Sequence, residues 1–301
     1  MSFEVISDDW NQWQQVMREV PGDLMDVHYL PEYYRGYAEG MGWWPHLAIV
    51  WCETQMAVMP FLVTQDDRLV SVHNFGGPLY TSTGARDELV RELGRWVHQQ
   101  GYLSEAQVNL VPFRQDSFRF LGPRATFIRE AVWVDLSCIS LRGTTRRCAQ
   151  NAEESGVRIS VHPTHGDALK KFQHIYWSTM ARTGAEDHWL YPPSFFPSVL
   201  RELGERATLL LADHGDWQHP EAGAILVHGY GTCYYHWAGS LNRFPRLGVS
   251  HLLVREAMAW ARDAGFQRFY LGGGLRPGDG LEVFKRGFSS LREPVYRYQV
   301  G

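Results

Sequence analysis

Cysteine is scarce in this chain. The four present, Cys52, Cys138, Cys148 and Cys233, form no C-x-x-C pair and have no histidine at ligand-like spacing. This excludes a disulfide-stapled secreted scaffold and fits reduced, buried thiols in a cytosolic protein. No apolar run approaches the roughly 20 residues that a bilayer-crossing helix needs. The opening MSFEVISDDW is acidic and lacks the apolar core of a signal peptide, so a cytoplasmic location is expected. Positive charge is not in excess: 29 Lys and Arg against 33 Asp and Glu leave a net charge of −4. A broad nucleic-acid-binding face is disfavoured by that balance, while a local basic patch stays open. Nucleophilic elbow, P-loop and dinucleotide fingerprints are all missing. The pairs His162/His165 and His214/His219 lie in polar stretches without a third ligand, and no metal is expected.

The chain does have enough length and apolar content for two folded domains, with 301 residues that are 45% hydrophobic. Apolar periodicity predicts helices over residues 8–19, 31–41 and 86–99, then over 142–154, 167–182, 194–203 and 250–264. Strands are expected at 46–52, 56–63, 69–75 and 106–111, and again at 157–162, 208–212, 222–230, 232–238 and 266–271. The two halves match residue by residue. Leu89-Val90-Arg91-Glu92, Trp96 and Gly101 reappear as Leu253-Val254-Arg255-Glu256, Trp260 and Gly265, all at an offset of 164, and Gly84 falls on Gly248. Tyr29, Pro31, Tyr33, Tyr34 and Gly42 reappear as Tyr191, Pro193, Phe195, Phe196 and Gly204 at an offset of 162. Two copies of one domain follow, over residues 1–140 and 141–301. Each is an α+β unit with a mixed, mostly antiparallel sheet flanked by helices.

The stretch Phe269–Ser289 stands apart. A strand end runs into Gly272-Gly273-Gly274, a triplet that marks a site where a ligand or another backbone comes close. Asp279 with Glu282 three residues on predicts a helix start, and Leu281, Phe284 and Phe288 are expected on one face. Lys285 then lies near the glycines, either as a snorkelling surface lysine or as a functional cation. The first copy keeps Asp116 near the corresponding helix start, but it has Asn109-Leu110-Val111-Pro112 in place of the glycines and Gly122 in place of Lys285.

These features together resemble the GNAT acyltransferase fold, and within it the tandem-GNAT Fem-like group that includes tRNA-dependent aminoacyltransferases. The residues that carry the resemblance are Asn74–Leu79, Arg146-Arg147 with Ala152-Glu153 and Gly156-Val157, Tyr235-His236 with Gly239-Ser240, Leu271–Gly274, and Phe284-Lys285 with Phe288-Ser289. They span about residues 27–290. The resemblance implies transfer of an acyl or aminoacyl group from an activated ester or thioester onto an amine, with the lysine matching Lys285 neutralising charge at the reacting centre. It implies no cofactor beyond that activated donor. One motif departs from the pattern. The loop Phe244-Pro245-Arg246-Leu247-Gly248-Val249-Ser250 keeps only Gly248 of the CoA pyrophosphate cradle, with Arg246 available to a phosphate. This favours an aminoacyl-tRNA donor over acyl-CoA.

The chemistry then distributes over named residues. An amine attacking an ester passes through an oxyanion, which Lys285 and the Gly272–Gly274 backbone are suited to stabilise. His236 is the candidate base, or a buried histidine of an aromatic cluster. Tyr235 and Ser240 position the acyl carbonyl, or cap the strand end. Arg146, Arg147 and Arg142 make a basic helix face, solvated or in contact with donor phosphates. Gly76, Gly77 and Tyr80 belong to the family's acceptor-side loop, or to a tight turn. Two other readings are a CoA-dependent N-acyltransferase acting on an amino sugar or small amine, and a non-catalytic GNAT pair used for binding.

Overall fold

In a computed structural model describing residues 2–102, 106–113, 125–215, 218–241, 243, 247–276 and 278–300, the chain divides into two units. One comprises Met1–Arg129 with Pro294–Gly301, the other Glu130–Glu293. The residues Asp116 and Gly122 of the first copy lie outside the described residues.

The first unit starts with β1 (Ser2–Ser7), α1 (Trp10–Glu19), α2 (Pro31–Met41), β2 (Trp44–Cys52) and β3 (Gln55–Val63). The last two form the expected hairpin, with Cys52 opposite Gln55 and Glu53 taking the positive φ (57°) that a tight hairpin turn demands. Both strands read as nearly unbroken apolar runs because helices cover both faces. Tyr33, Tyr34 and Tyr37 of α2 are buried with Trp13 of α1, and the Tyr34 hydroxyl donates to the Pro60 carbonyl at 3.1 Å. The unit continues with β4 (Leu69–Val70), β5 (Phe75–Gly76), β6 (Leu79–Tyr80), α3 (Thr83–Gln100) and β7 (Ala106–Leu110). Leu89, Leu93 and Val97 of α3 pack against β2 and β3.

The strand expected over 69–75 is not continuous. After β4 the backbone makes a 3-10 turn over Val72–Asn74, with His73 at a left-handed φ of 47°. Buried tyrosines replace the ladder that a straight strand would use. Tyr37 accepts the His73 N–H at 2.9 Å, and Tyr29 donates to the Gly76 carbonyl at 3.1 Å.

The second unit holds β8 (Ala125–Asp135) from Glu130 onward, α4 (Gly143–Glu154), β9 (Arg158–His162), α5 (Gly166–Thr183), α6 (Phe195–Leu203), β10 (Ala207–Asp213), β11 (Ala222–Gly229), β12 (Thr232–Ser240), α7 (Val249–Asp263), β13 (Arg268–Gly272) and α8 (Gly280–Arg286). Its sheet runs β8-β13-β12-β11-β10-β9, antiparallel throughout except for the β12–β13 pair. On one face Ala149 and Ala152 of α4 join Leu253, Ala257 and Ala261 of α7. On the other, Tyr191, Phe195 and Phe196 pack around the buried Trp237 of β12, and Phe172 packs on Phe196. The chain ends in β14 (Arg292–Val300), which from Pro294 belongs to the first unit and pairs antiparallel with β7, Arg297 opposite Asn109.

The repeated residues do the same jobs twice. Gly42 and Gly204 end α2 and α6 at φ 69° and 52°, while Gly101 and Gly265 follow α3 and α7 at 76° and 87°. Positive φ there suits glycine and stops each helix; Gly42 and Gly101 are left-handed, whereas Gly204, at ψ −123°, adopts a different glycine-only conformation. Trp96 lies 5.5 Å from His46, and Trp260 lies 5.1 Å from His228. Gly84 and Gly248 differ: Gly84 lies inside α3 facing open space, whereas Gly248 precedes α7 and is backed by protein.

Burial lowers the pKa of both His46 and His228 from 6.5 to about 4. Each therefore remains neutral in the fold at pH values where the unfolded chain already binds a proton. The stability this carries is full above about pH 6.5 and is lost progressively as pH falls toward 4. We expect urea midpoints to decline across that window by the equivalent of about 1 to 3 kcal/mol per histidine. The decline should be visibly shallower in His228→Phe, measured from pH 4 to 7.

Candidate active site

The parallel pairing of β12 with β13 covers Thr232–Tyr234 against Arg268–Tyr270 and goes no further. Past it, β12 continues to Ser240 beside β11, while β13 ends at Gly272. The register with β11 also shifts here. Leu226 faces Tyr235 and Ile225 faces Trp237, which makes His236 the inserted residue of a β-bulge. Bulges of this kind bend a strand and re-aim its side chains. The two strands thus part next to Tyr235, His236 and the glycine triplet.

Each glycine of the triplet has its own reason. Gly272 adopts φ 75°, and a Cβ there would stand 3.4 Å from the Lys285 Nζ. The Gly273 carbonyl accepts a hydrogen bond from that Nζ at 2.7 Å. Gly274 is packed so closely on the Asp279 carboxylate that no side chain fits. Asp279 caps α8 by accepting the Glu282 N–H at 2.7 Å, and it also takes the Leu275 and Arg276 N–H groups at 2.6 and 2.9 Å. Partial burial opposes ionisation of Asp279, but these backbone donors outweigh it and hold the carboxyl below its ordinary range. Glu282 reaches back to the Gly278 N–H at 2.6 Å and pairs with Arg286 at 2.7 Å. Lys285, half-buried, is thereby fixed at the end of β13 by a short helix whose start is clamped from both sides. Among the residues expected on the inner face, Phe288 is buried and Phe284 packs on the core, whereas Leu281 is 42% exposed. The helix ends at Arg286, too short to bury a full stripe.

Tyr235 packs on Phe269 with ring centroids 6.2 Å apart, and burial pushes its phenol pKa up, so it stays neutral. His236 is half-buried with its ring against Trp237 at 4.3 Å and 6.5 Å from Tyr234. Ser240 is tied to α5: its N–H donates to Thr179 Oγ1 at 2.9 Å and its carbonyl accepts from Arg182 at 3.1 Å. Gly248 begins α7 at φ 77°, pressed against the Cys148 carbonyl of α4. Arg246 and Pro245 lie outside the described residues. In the first unit, Gly76 and Gly77 meet protein from behind, since a Cβ would come within 2.7 Å of Ser71 and 2.6 Å of Leu110. The half-buried Tyr80 carries the Arg86 guanidinium 5.4 Å from its ring.

Arg146 and Arg147 are exposed on α4, whose start is joined to the end of α8 by the Arg142 N–H on the Gly287 carbonyl at 3.1 Å. Two further arginines, which the sequence pattern does not single out, lie near Arg142. Arg286 and Arg292 approach Glu130 at 3.9 and 4.0 Å. Burial, and then the nearby Arg286, lower the Arg292 pKa, with Arg142 adding to the effect. The adjacent Lys285-Arg286 pair was the available signal, but only the fold brings residues 142, 286 and 292 together. Among the described residues, no three His, Cys, Asp or Glu side chains form a cluster able to hold a metal, and no helix is long and apolar enough to cross a membrane.

Removing the clamp should be measurable without an activity assay. Asp279→Ala is expected to lower stability by about 1 to 2 kcal/mol, read from urea unfolding, because it deletes a helix cap together with the loop's anchor.

Residues 140–286 match the family described as acetyltransferase (GNAT) domain. No curated protein sequence matches the chain. Among solved structures, the chain is similar to FemX, with 14% identity, 98% of this chain and 97% of that one covered, and a TM-score of 0.66. It is similar to L-PGS from Bacillus licheniformis at 15% identity, with coverage of 98% and 93% and a TM-score of 0.64. It also resembles a tandem GNAT protein from the clavulanic acid biosynthesis pathway, at 9% identity, coverage of 100% and 99%, and a TM-score of 0.58. Residues 140–286 thus form a GNAT acyltransferase domain, and the chain as a whole shares the fold of FemX, L-PGS and the tandem GNAT protein.

Proposed function

We propose that the protein moves an aminoacyl group from an aminoacyl-tRNA onto an amine acceptor and so forms an amide bond. The observation that carries this reading is the Lys285 ammonium held on the Gly273 carbonyl, at the point where β12 and β13 part. The amine lone pair attacks the ester carbonyl carbon, and the carbonyl oxygen takes up negative charge. When the tetrahedral intermediate collapses, the C–N bond stays and the ester C–O bond breaks, the ribose oxygen leaving as a hydroxyl once it receives a proton. Lys285 stabilises the oxyanion or the departing oxygen, a role in which a positioned charge contributes most. The amine's proton goes to His236, to water or to a substrate phosphate.

Two observations support an RNA-borne donor. The start of α7, where CoA pyrophosphate would seek free N–H groups, has the Cys148 carbonyl packed beside Gly248, and a carbonyl oxygen repels an anion. Beside α8 stand Arg142, Arg286 and Arg292, and Arg146 and Arg147 are exposed on α4, so that separate contacts to a phosphate backbone are on offer. The protein named L-PGS shares the fold, and the related solved domain of a putative lysylphosphatidylglycerol synthetase is named for a product that contains a lysyl group. The second reading, an acyl-CoA donor acting on an amino sugar or small amine, is favoured by the acetyltransferase description of the domain.

Mixtures of charged tRNAs and acyl-CoAs with candidate amines, read by mass spectrometry, separate the two donors. Lys285→Ala should lower kcat by about a hundredfold or more with the melting temperature kept. Near-normal turnover in that variant rejects the assignment. Arg146→Ala with Arg147→Ala should raise KM for charged tRNA by about tenfold and flatten the salt dependence of kcat/KM. Salt-independent transfer favours CoA instead.

A further inference from the structure

A cavity of about 300 Å3 opens in the second unit on the α5 side of the sheet. It shares no residue with the Lys285 loop. Its charged and titratable walls are all basic: Lys170, Lys171 and His174 from α5, His219 before β11, and Arg243 after β12. Among the described residues no carboxylate belongs to its wall, and Asp167 and Glu221 stand behind Lys171 and Arg243. Lys170 and His174 stand one helical turn apart and present their side chains in the same direction.

Arg243 is held in place from behind. The Glu221 carboxylate, in a residue 2% exposed, accepts the Arg243 N–H at 2.8 Å and its Nε at 2.6 Å. Glu221 is itself fixed, since its N–H donates to the Ala212 carbonyl at 2.7 Å and its own carbonyl accepts from Leu241 at 2.9 Å. With Nε engaged and Nη2 on the Pro220 carbonyl at 3.3 Å, the guanidinium keeps further N–H donors for a ligand and loses little freedom on binding one. Lys171 is likewise braced, by Asp167 and by Gln218 Oε1 at 2.7 Å. The apolar wall is Ile175, Pro220 and Leu241.

We propose that this cavity is a binding site for a diphosphate-bearing small molecule. Lys170, the carboxylate-braced Lys171 and Arg243, and two histidines direct N–H donors from separate chain segments into one cavity, which matches an anion with several oxygens better than a single carboxylate. The apolar wall receives the group that the diphosphate carries.

Isothermal titration of the full-length protein with sodium pyrophosphate, inorganic phosphate and citrate tests this. Pyrophosphate should bind at one site, more tightly than phosphate or citrate. Lys170→Glu, a change at an exposed helix position, should weaken pyrophosphate by about tenfold or more. Arg243→Lys, which keeps the charge beside Glu221 and removes the fork, should weaken it as well, whereas Lys285→Ala should leave it unchanged. Absence of saturable binding, equal affinity for the three anions, full affinity in Lys170→Glu, or loss of binding in Lys285→Ala would each overturn the proposal. Should Arg243→Lys fail to fold, Lys170→Glu alone decides.

Discussion

Three residue pairs of parallel ladder set the geometry of this protein's second unit. Thr232–Tyr234 against Arg268–Tyr270 brings β12 and β13 together, and the bulge at His236 then turns β12 away. Because the strands separate while each is still anchored on its outer side, by β11 and by β8, the gap is rigid. Everything proposed for catalysis depends on that gap. Lys285 reaches it because Asp279 and Glu282 fold the intervening loop back on itself, through short bonds to backbone N–H groups. A cation delivered by such a clamp needs little reorganisation when charge develops beside it.

Much of this arrangement was legible in the sequence, for identifiable reasons. The helix start at Asp279 could be read because a cap is a local event that involves residues three apart. The repeat could be read because its markers have no substitute. The glycines Gly42, Gly101, Gly204 and Gly265 take positive φ at helix ends, and the paired aromatics after Pro31 and Pro193 fill buried positions. What was missed depends on contacts distant in the chain. The break at His73 is made by tyrosine hydroxyls from α2 and the residues before it, which no periodicity reveals. Leu281 looked internal because its spacing was helical, but α8 ends within two turns. The bulge at His236 is a register shift between two strands, invisible in either one alone.

The glycine triplet illustrates how function and packing share residues. Gly274 is small because Asp279 presses on it, Gly272 because of its backbone angle, and Gly273 offers its carbonyl to the lysine. In the first unit, Gly76 and Gly77 are small because Ser71 and Leu110 leave no space. Composition alone treats these five positions alike. The neighbours of each Cα distinguish glycines that hold a cation in place from glycines that let the protein pack on itself.

The return of β14 to the first unit makes that unit discontinuous in the chain. Residues 130–293 are one unbroken segment, whereas the first unit pairs β7 with Arg297–Val300 and all of that segment lies between the two paired stretches. Closing so long a loop costs more chain entropy than closing the hairpins of either unit. The β7–β14 ladder is therefore a contact that rewards folding only after the intervening unit has brought its own ends into place.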